Sequence, residues 1–212
     1  TTLLKIINGD ISPTSGTVDT AGTTVGLMPQ DLHDYYDYTV RDFVEESTGV
    51  KSAREQFDNA CKTIERDPSE HNMRTYGKAL ESYDKFDVAS FDATLKKSLA
   101  RAGLEAVAIE QNLGTLSGGE RARTALAAIF ASRYDTVLLD EPTNNLDQKG
   151  VELLENFVTN SKNAFLIVSH DRRFLRNVAD RMIELLADGS GVRQYDLGYD
   201  EYMAAREKDK RA

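Results

Sequence analysis

Leu116-Ser117-Gly118-Gly119-Glu120 stands ahead of Thr136-Val137-Leu138-Leu139-Asp140-Glu141-Pro142, with Asp140 twenty positions after Glu120. The first stretch opens an amphipathic helix, Ser117 to Ser132, in which Ser117 and Glu120 have capping-box spacing. Its two glycines leave backbone N–H groups bare at the positive end of the helix dipole, an arrangement that suits an anion. A capped helix after a glycine-rich turn has the same appearance. The second stretch delivers a buried strand, Thr136 to Leu139, into two adjacent carboxylates at its C-terminal end, where open α/β sheets place ligands. Asp140 is then a candidate holder of Mg²⁺, and Glu141 a candidate acceptor of the proton of an attacking water. Adjacent acids after a strand are also an ordinary turn start.

Strand and helix alternate from there on. Val151 to Val158 reads as a helix, and Phe165 to Val168 as a second buried strand. That strand ends in Ser169-His170-Asp171, placing His170 at the same sheet edge as the two acids; Arg172 to Val178 is a short helix. Strands apolar on both faces, covered by helices, predict an α/β fold with a parallel sheet. Met182 to Leu186 and Gly191 to Tyr195, around Asp188-Gly189, read as a closing antiparallel hairpin. Arg206 to Arg211 is polar and reads as the start of a linker or helix.

The first half differs. Gly16 to Asp19 and Thr23 to Met28 read as short strands, the second ended by Pro29. Thr39 caps a helix with Asp42 three residues on. Ala53, Phe57, Ala60 and Ile64 form one narrow apolar stripe, and Met73, Tyr76, Leu80 and Tyr83 another, with Asp67-Pro68 between them. That pattern predicts an antiparallel helical hairpin over 51–87, and its mixed charges predict a projecting, solvated one. Ala93 to Ala102 is a further helix, closed by Gly103.

The chain has 212 residues, 40% of them hydrophobic, and a net charge of −9. It is too apolar for a disordered tail, and its acidity argues against bulk affinity for nucleic acid. The longest apolar stretch, Ala125 to Ala131, is far short of the ~20 residues of a membrane span. Cys61 stands alone, which excludes a disulfide framework and makes the cytoplasm the expected compartment. Thr1 to Ile7 reads as a helix that ends at Gly9 but has no start signal, so the expectation is a chain truncated upstream.

Taken together, these motifs resemble the ATP-binding cassette family. Leu116 to Glu120 is similar to its signature motif and Val137 to Glu141 to its Walker B strand. Asn144 to Asp147 is similar to the D-loop, His170 to the switch histidine and Gln30 to the Q-loop glutamine. The resemblance extends to the beginning: Thr1-Thr2-Leu3-Leu4-Lys5 looks like the helix that follows a Walker A phosphate loop. It implies ATP and Mg²⁺ as cofactors, with Glu141, His170 and Gln30 catalytic and Thr1, Gln30 and Asp140 around the metal. Thr1, Thr2, Ser117, Gly118, Gly119, Glu120 and Asp147 are the implied nucleotide-binding residues. In the family two cassettes sandwich two ATP molecules, the signature and Asp147 equivalents of one completing the site of the other. The implied domain is 1–202, a P-loop NTPase-like cassette lacking its first strands and phosphate loop. It comprises a parallel sheet core, a small antiparallel β part and a helical subdomain at about 39–116 that carries the arm-like hairpin. Residues 203–212 would begin a linker to a second cassette. Loss of the upstream strand should leave a gap beside Val137 to Leu139, and a chain beginning at Thr1 should be inactive by itself.

Glu141-Pro142-Thr143-Asn144-Asn145-Leu146-Asp147 and Ser169-His170-Asp171-Arg172-Arg173-Phe174-Leu175 look like the ABC-F branch. Those are cytoplasmic two-cassette proteins that act on the ribosome, with rRNA and tRNA as implied partners and translation control or antibiotic resistance as implied roles. Gly198-Tyr199-Asp200-Glu201-Tyr202 resembles the stretch that enters their inter-cassette linker. The 87 positions from Gln30 to Ser117 exceed what transporter cassettes usually need, and the 51–87 hairpin resembles the arm of an N-terminal ABC-F cassette. One departure is Asn145, where the branch usually carries His; either side chain forms hydrogen bonds. The competing class is the ATPase subunit of a transporter, whose surface around Gln30 would grip a membrane subunit. A chromosome-type ATPase would need a long coiled coil before the signature, and a degenerate interaction module would not need Glu141 and His170.

Overall fold

The computed structural model describes residues 1–105, 107–186 and 191–209. Helix α1 (Thr2–Asn8) turns Leu4 inward, and Gly9 closes it in the left-handed conformation at φ 88°. A parallel sheet follows from three strands far apart in sequence: β1 (Val25–Leu27), β2 (Thr136–Asp140) and β3 (Ala164–Val168), in the order β1-β2-β3. Val25 lies opposite Thr136, and Asp140 opposite Val168. The Met28 N–H donates to Leu138 O at 3.0 Å and extends the ladder one residue towards Pro29. β2 is paired on both sides and buried from Val137 to Asp140. The expected gap beside Val137–Leu139 is therefore not there: among the described residues the unpaired sheet edges belong to β1 and β3. The expected strand at Gly16–Asp19 is also absent, because no other strand pairs with it and Val18 is 44% exposed. β-branched residues without a ladder partner do not make a strand.

Between β1 and β2 come α2 (Val40–Ser47), α3 (Val50–Arg66), α4 (Glu70–Lys85), α5 (Phe91–Arg101) and α6 (Gly118–Ala131). Thr39 caps α2 in a full capping box with Asp42. α3 and α4 form the antiparallel hairpin, with Phe57 against Tyr76 (5.6 Å between ring centroids) and Tyr83 (4.6 Å). Met73, expected in its seam, is 56% exposed. Position 72 faces the connection instead: the Asn72 amide donates to Asp67 O at 2.8 Å and to Asp67 Oδ2 at 2.9 Å. At the other end the hairpin is rooted in the helical core, since Val50, Ala53 and Val88 are buried with Phe43, Leu95 and Leu113.

α6 joins two cores. Its Ala127, Ala128 and Ala131 pack into the helical cluster, while Leu126 and Ile129 pack under the sheet with Val137, Leu139, Leu154 and Phe174. Helices α7 (Gln148–Asn160) and α8 (Arg172–Val178) flank β3 in sequence. Strands β4 (Met182–Leu185) and β5 (Val192–Tyr195) pair antiparallel; the turn expected at Asp188-Gly189 lies outside the described residues. The last helix, α9 (Tyr199–Asp209), runs unbroken through the expected boundary between 202 and 203, with Tyr199 and Tyr202 buried. Among the described residues no helix is long and apolar enough to cross a membrane.

Candidate functional site

The C-terminal ends of all three parallel strands open onto one region. β2 delivers Asp140, 7% exposed, and then Glu141. The chain turns sharply there: Glu141 has φ 48°, a left-handed backbone that costs a non-glycine residue on the order of 1 kcal/mol. Two hydrogen bonds to the neighbouring strand's exit hold it. The Glu141 N–H donates to Val168 O at 2.7 Å, and the His170 N–H donates to Glu141 Oε2 at 3.1 Å. Glu141 Oε1 is buried and makes no hydrogen bond, although His170 Nε2 stands 3.6 Å away. A buried carboxylate oxygen without a protein donor leaves lone pairs open to water or a ligand.

Gln30 follows β1 through Met28-Pro29. It lines a cavity of about 400 Å³ together with Asp140, Glu141, Asn144 and Gly118. The backbone nitrogen of Thr1 lies 3.5 Å from Asp140 Oδ2, so the start of α1 reaches the same place. Hydroxyl, amide and carboxylate oxygens of Thr1, Gln30 and Asp140 are the hard donors that Mg²⁺ takes, usually one or two per protein with phosphates and water completing the set. No cluster of three or more His, Cys, Asp or Glu side chains occurs among the described residues. The unpartnered Glu141 oxygen and this donor set fit a metal–nucleotide ligand.

Ser117, Gly118 and Gly119 lie exposed at the start of α6. Ser117 and Glu120 form the expected capping box: the Glu120 N–H donates to Ser117 Oγ at 3.3 Å, and the Ser117 N–H to Glu120 Oε2 at 2.8 Å. The Ser117 hydroxyl also donates to that carboxylate at 2.7 Å and, with the N–H, holds it below its ordinary pKa. A Cβ placed at Gly118 or Gly119 would meet nothing within 4 Å, so packing within this chain does not require either glycine.

Asp147 sits apart from the cavity. It caps α7, accepting the Gly150 N–H at 2.9 Å and Arg123 Nη2 at 2.7 Å, and these donors lower its pKa, the Gly150 bond foremost. The cavity thus unites Gln30, Asp140, Glu141 and Gly118, with Thr1 beside Asp140 and His170 against Glu141. Ser117 and Gly119 flank it on α6, while the Thr2 side chain and Asp147 do not line it.

Three residues here escaped the sequence reading. Arg123 ties Asp147 to the Ala102 carbonyl. Arg121 donates to Leu116 O and lies over the Tyr36 ring, 4.9 Å from its centroid. Tyr36 in turn accepts the Gly114 N–H at 3.0 Å, tying the segment after Gln30 to the loop before Ser117. Arg121 and Arg123 are two positions apart on α6 and so point in different directions, and no sequence pattern signals either set of bonds.

A parallel sheet with paired acids at a strand end and a glycine-led helix beside them is the core of an ATP-binding cassette. The family profile described as ABC transporter matches residues 1–144, and the chain belongs to that family. Among its relatives, the tylosin resistance ATP-binding protein TlrC of Streptomyces fradiae is 34% identical over 99% of this chain and 39% of its own length. The energy-dependent translational throttle protein EttA of Mycobacterium tuberculosis is 35% identical over 95% of this chain and 36% of its own. The ATP-binding protein Uup of Escherichia coli is 30% identical over 98% and 32%. The chain therefore spans a third to two-fifths of these relatives.

Solved structures agree on the fold. The RNase-L inhibitor superposes with a TM-score of 0.56 at 22% identity over 97% of this chain and 34% of its own. A dimeric ATP-binding cassette in a post-hydrolysis state, bound to ADP and Pi, gives 0.54 at 22% over 92% and 78%.

Proposed function

We propose that this chain is one ATP-hydrolysing cassette of a two-cassette, ABC-F type protein that acts on the ribosome, contacting rRNA or tRNA through hairpin α3–α4. The observation that carries the ATPase reading is Glu141, whose Oε1 is buried without a hydrogen bond while Oε2 is fixed by the His170 N–H. One oxygen anchors the side chain and the other is free to accept a proton from water attacking the γ-phosphate. His170 contributes its exposed ring towards that phosphate, and Gln30 orients the water from the end of β1. Thr1, Gln30 and Asp140 would hold Mg²⁺, which neutralises charge on the phosphate oxygens when bound.

Ser117 and Glu120, whose own N–H groups are taken up in the capping box, hold the start of α6 in place, while Gly118 and Gly119 present N–H groups there to the nucleotide of a partner cassette. Their exposure, and the absence of any packing reason for the glycines, supports a role towards another molecule. Asp147 would reach the partner across the same interface. Support for the ribosome comes from the projecting hairpin and from relatives named for translational throttling and tylosin resistance.

The test is Glu141→Gln in the full-length protein. It should still bind ATP, lose turnover by roughly 10²–10⁴-fold, co-sediment with ribosomes in ATP and inhibit cell-free translation. Normal turnover would refute the assignment of the base. A stalled ATPase that neither binds ribosomes nor affects translation would refute the ribosomal target alone.

A further inference from the structure

Tyr134 and Asp135 are the two residues that lead into β2, and between them they touch every strand of the parallel sheet and both roots of the hairpin. The Tyr134 ring lies against β1 so closely that a Cβ at Gly26 would fall 2.1 Å from its carbons. The same side chain reaches Gly49, the residue before α3, where a Cβ would stand 2.6 Å from the phenol oxygen. It also meets Phe86, the residue after α4, edge to face at 5.3 Å. Burial raises the Tyr134 pKa, in keeping with a phenol enclosed by packing. The Tyr134 carbonyl accepts the side-chain amide of Asn163, which immediately precedes β3.

Asp135 repeats the arrangement with polar groups. It accepts the Thr24 N–H at 2.7 Å and the Thr24 hydroxyl at 2.9 Å at the foot of β1. It also accepts Lys85 Nζ, the last residue of α4, at 2.6 Å. From these feet β1 runs to Gln30, β2 to Asp140 and Glu141, and β3 to His170. Neither Tyr134 nor Asp135 lines the cavity at the other end of the strands.

We propose that Tyr134 and Asp135 form a joint through which hairpin α3–α4 positions the strands carrying Gln30 and Glu141, so that a partner gripping the hairpin changes the rate of ATP turnover. The proposal rests on the cassette reading above. Its physical basis is the lack of slack: Gly26 leaves no room for the ring to slide, and Thr24, Asp135 and Lys85 lock α4 to β1 across that contact. Close-packed interiors pass displacement on rather than absorbing it. Lys85 and Asp135 are positioning residues, and their partly exposed ion pair adds little to stability by itself.

The experiment uses the full-length protein and reads kcat and KM for Mg-ATP. Residues 58–80 are replaced by a short Gly-Ser connection, which keeps Phe57 with Tyr83 and the hairpin roots. This change is combined with Lys85→Met and, separately, with Tyr134→Leu. Shortening the hairpin should change kcat roughly two- to tenfold, with KM within about twofold. In the Lys85→Met and Tyr134→Leu backgrounds the same shortening should change kcat no further, and Lys85→Arg should retain the wild-type response. Additive effects in both backgrounds, or a kcat indifferent to the hairpin, overturn the joint. Absence of ATP turnover in the unaltered protein overturns the cassette reading and the joint with it.

Discussion

The backbone of His170 is bonded to Glu141 Oε2 at 3.1 Å, while the side chain of His170 is 97% exposed. The peptide group fixes the carboxylate, and the imidazole makes almost no packing contact. His170→Ala keeps that N–H, so stability should stay within about 0.5 kcal/mol of the parent. Turnover in the full-length protein should nevertheless fall on the order of 10²-fold. Thermal unfolding and steady-state ATPase rates separate the two; a lowered Tm with unchanged turnover would make the ring a structural group.

Gly26→Ala should act in the opposite sense. The added methyl has no space beside Tyr134, and the overpacking should cost about 1–3 kcal/mol. For a chain of this size that lowers Tm by roughly 2–4 °C per kcal/mol. Tyr134→Leu in the same chain should recover part of the loss, because a smaller side chain frees the strand. A Gly26→Ala protein as stable as its parent would mean that the ring moves aside at no cost.

β2 was legible because both its faces are buried, and burial is what a run of Val and Leu encodes; β3, expected to be buried from the same kind of run, is an edge strand only half-buried, with Val168 36% exposed. The capping boxes at Thr39 and Ser117 were legible because their partners lie three residues away. What escaped depends on contacts between distant segments. Nothing near Glu141 announces φ 48°, since the bonds that impose it come from Val168 and His170. Nothing near Gly26 in the sequence shows why a side chain is excluded there, since the Tyr134 ring that fills the space comes from a distant segment. Gly16–Asp19 had the composition of a strand but no partner, and Met73 had the spacing of the hairpin seam while Asn72 had its hydrogen bonds.

Asp135 supplies a pH dependence. Its pKa is lowered from 3.8 to about 2, chiefly by Lys85 and then by Thr24. A carboxyl depressed in the folded state stabilises above its unfolded pKa, and the contribution disappears as pH falls through the folded value. The difference in Tm between the parent and Asp135→Asn should therefore be constant above about pH 4 and shrink towards pH 2. Because the pair is partly exposed, salt should reduce the difference as well. A difference that persists unchanged at pH 2 would assign the stability to Thr24 hydrogen bonds that the amide fails to make, rather than to the charge of the carboxylate.

Gly118 and Ser117 stand side by side at the start of α6 and should respond differently. Ser117 satisfies the end of the helix, so Ser117→Ala should cost about 1 kcal/mol of stability whatever the helix is for. Gly118 satisfies nothing: a Cβ there meets only open space, and alanine is the better helix former. Gly118→Ala should thus leave Tm unchanged or raise it by the equivalent of at most about 1 kcal/mol. If the N–H groups at this helix start receive the nucleotide of a partner cassette, the methyl stands between them and the phosphate. ATP-dependent closure of the two cassettes should then weaken, and kcat/KM in the full-length protein should fall on the order of 10²-fold. Calorimetric Tm, ATP-dependent change in hydrodynamic size and turnover measured on the same preparation make the comparison. A Gly118→Ala protein that is more stable and fully active would show that no ligand approaches this helix start, and the two-cassette site would have to be built from other residues.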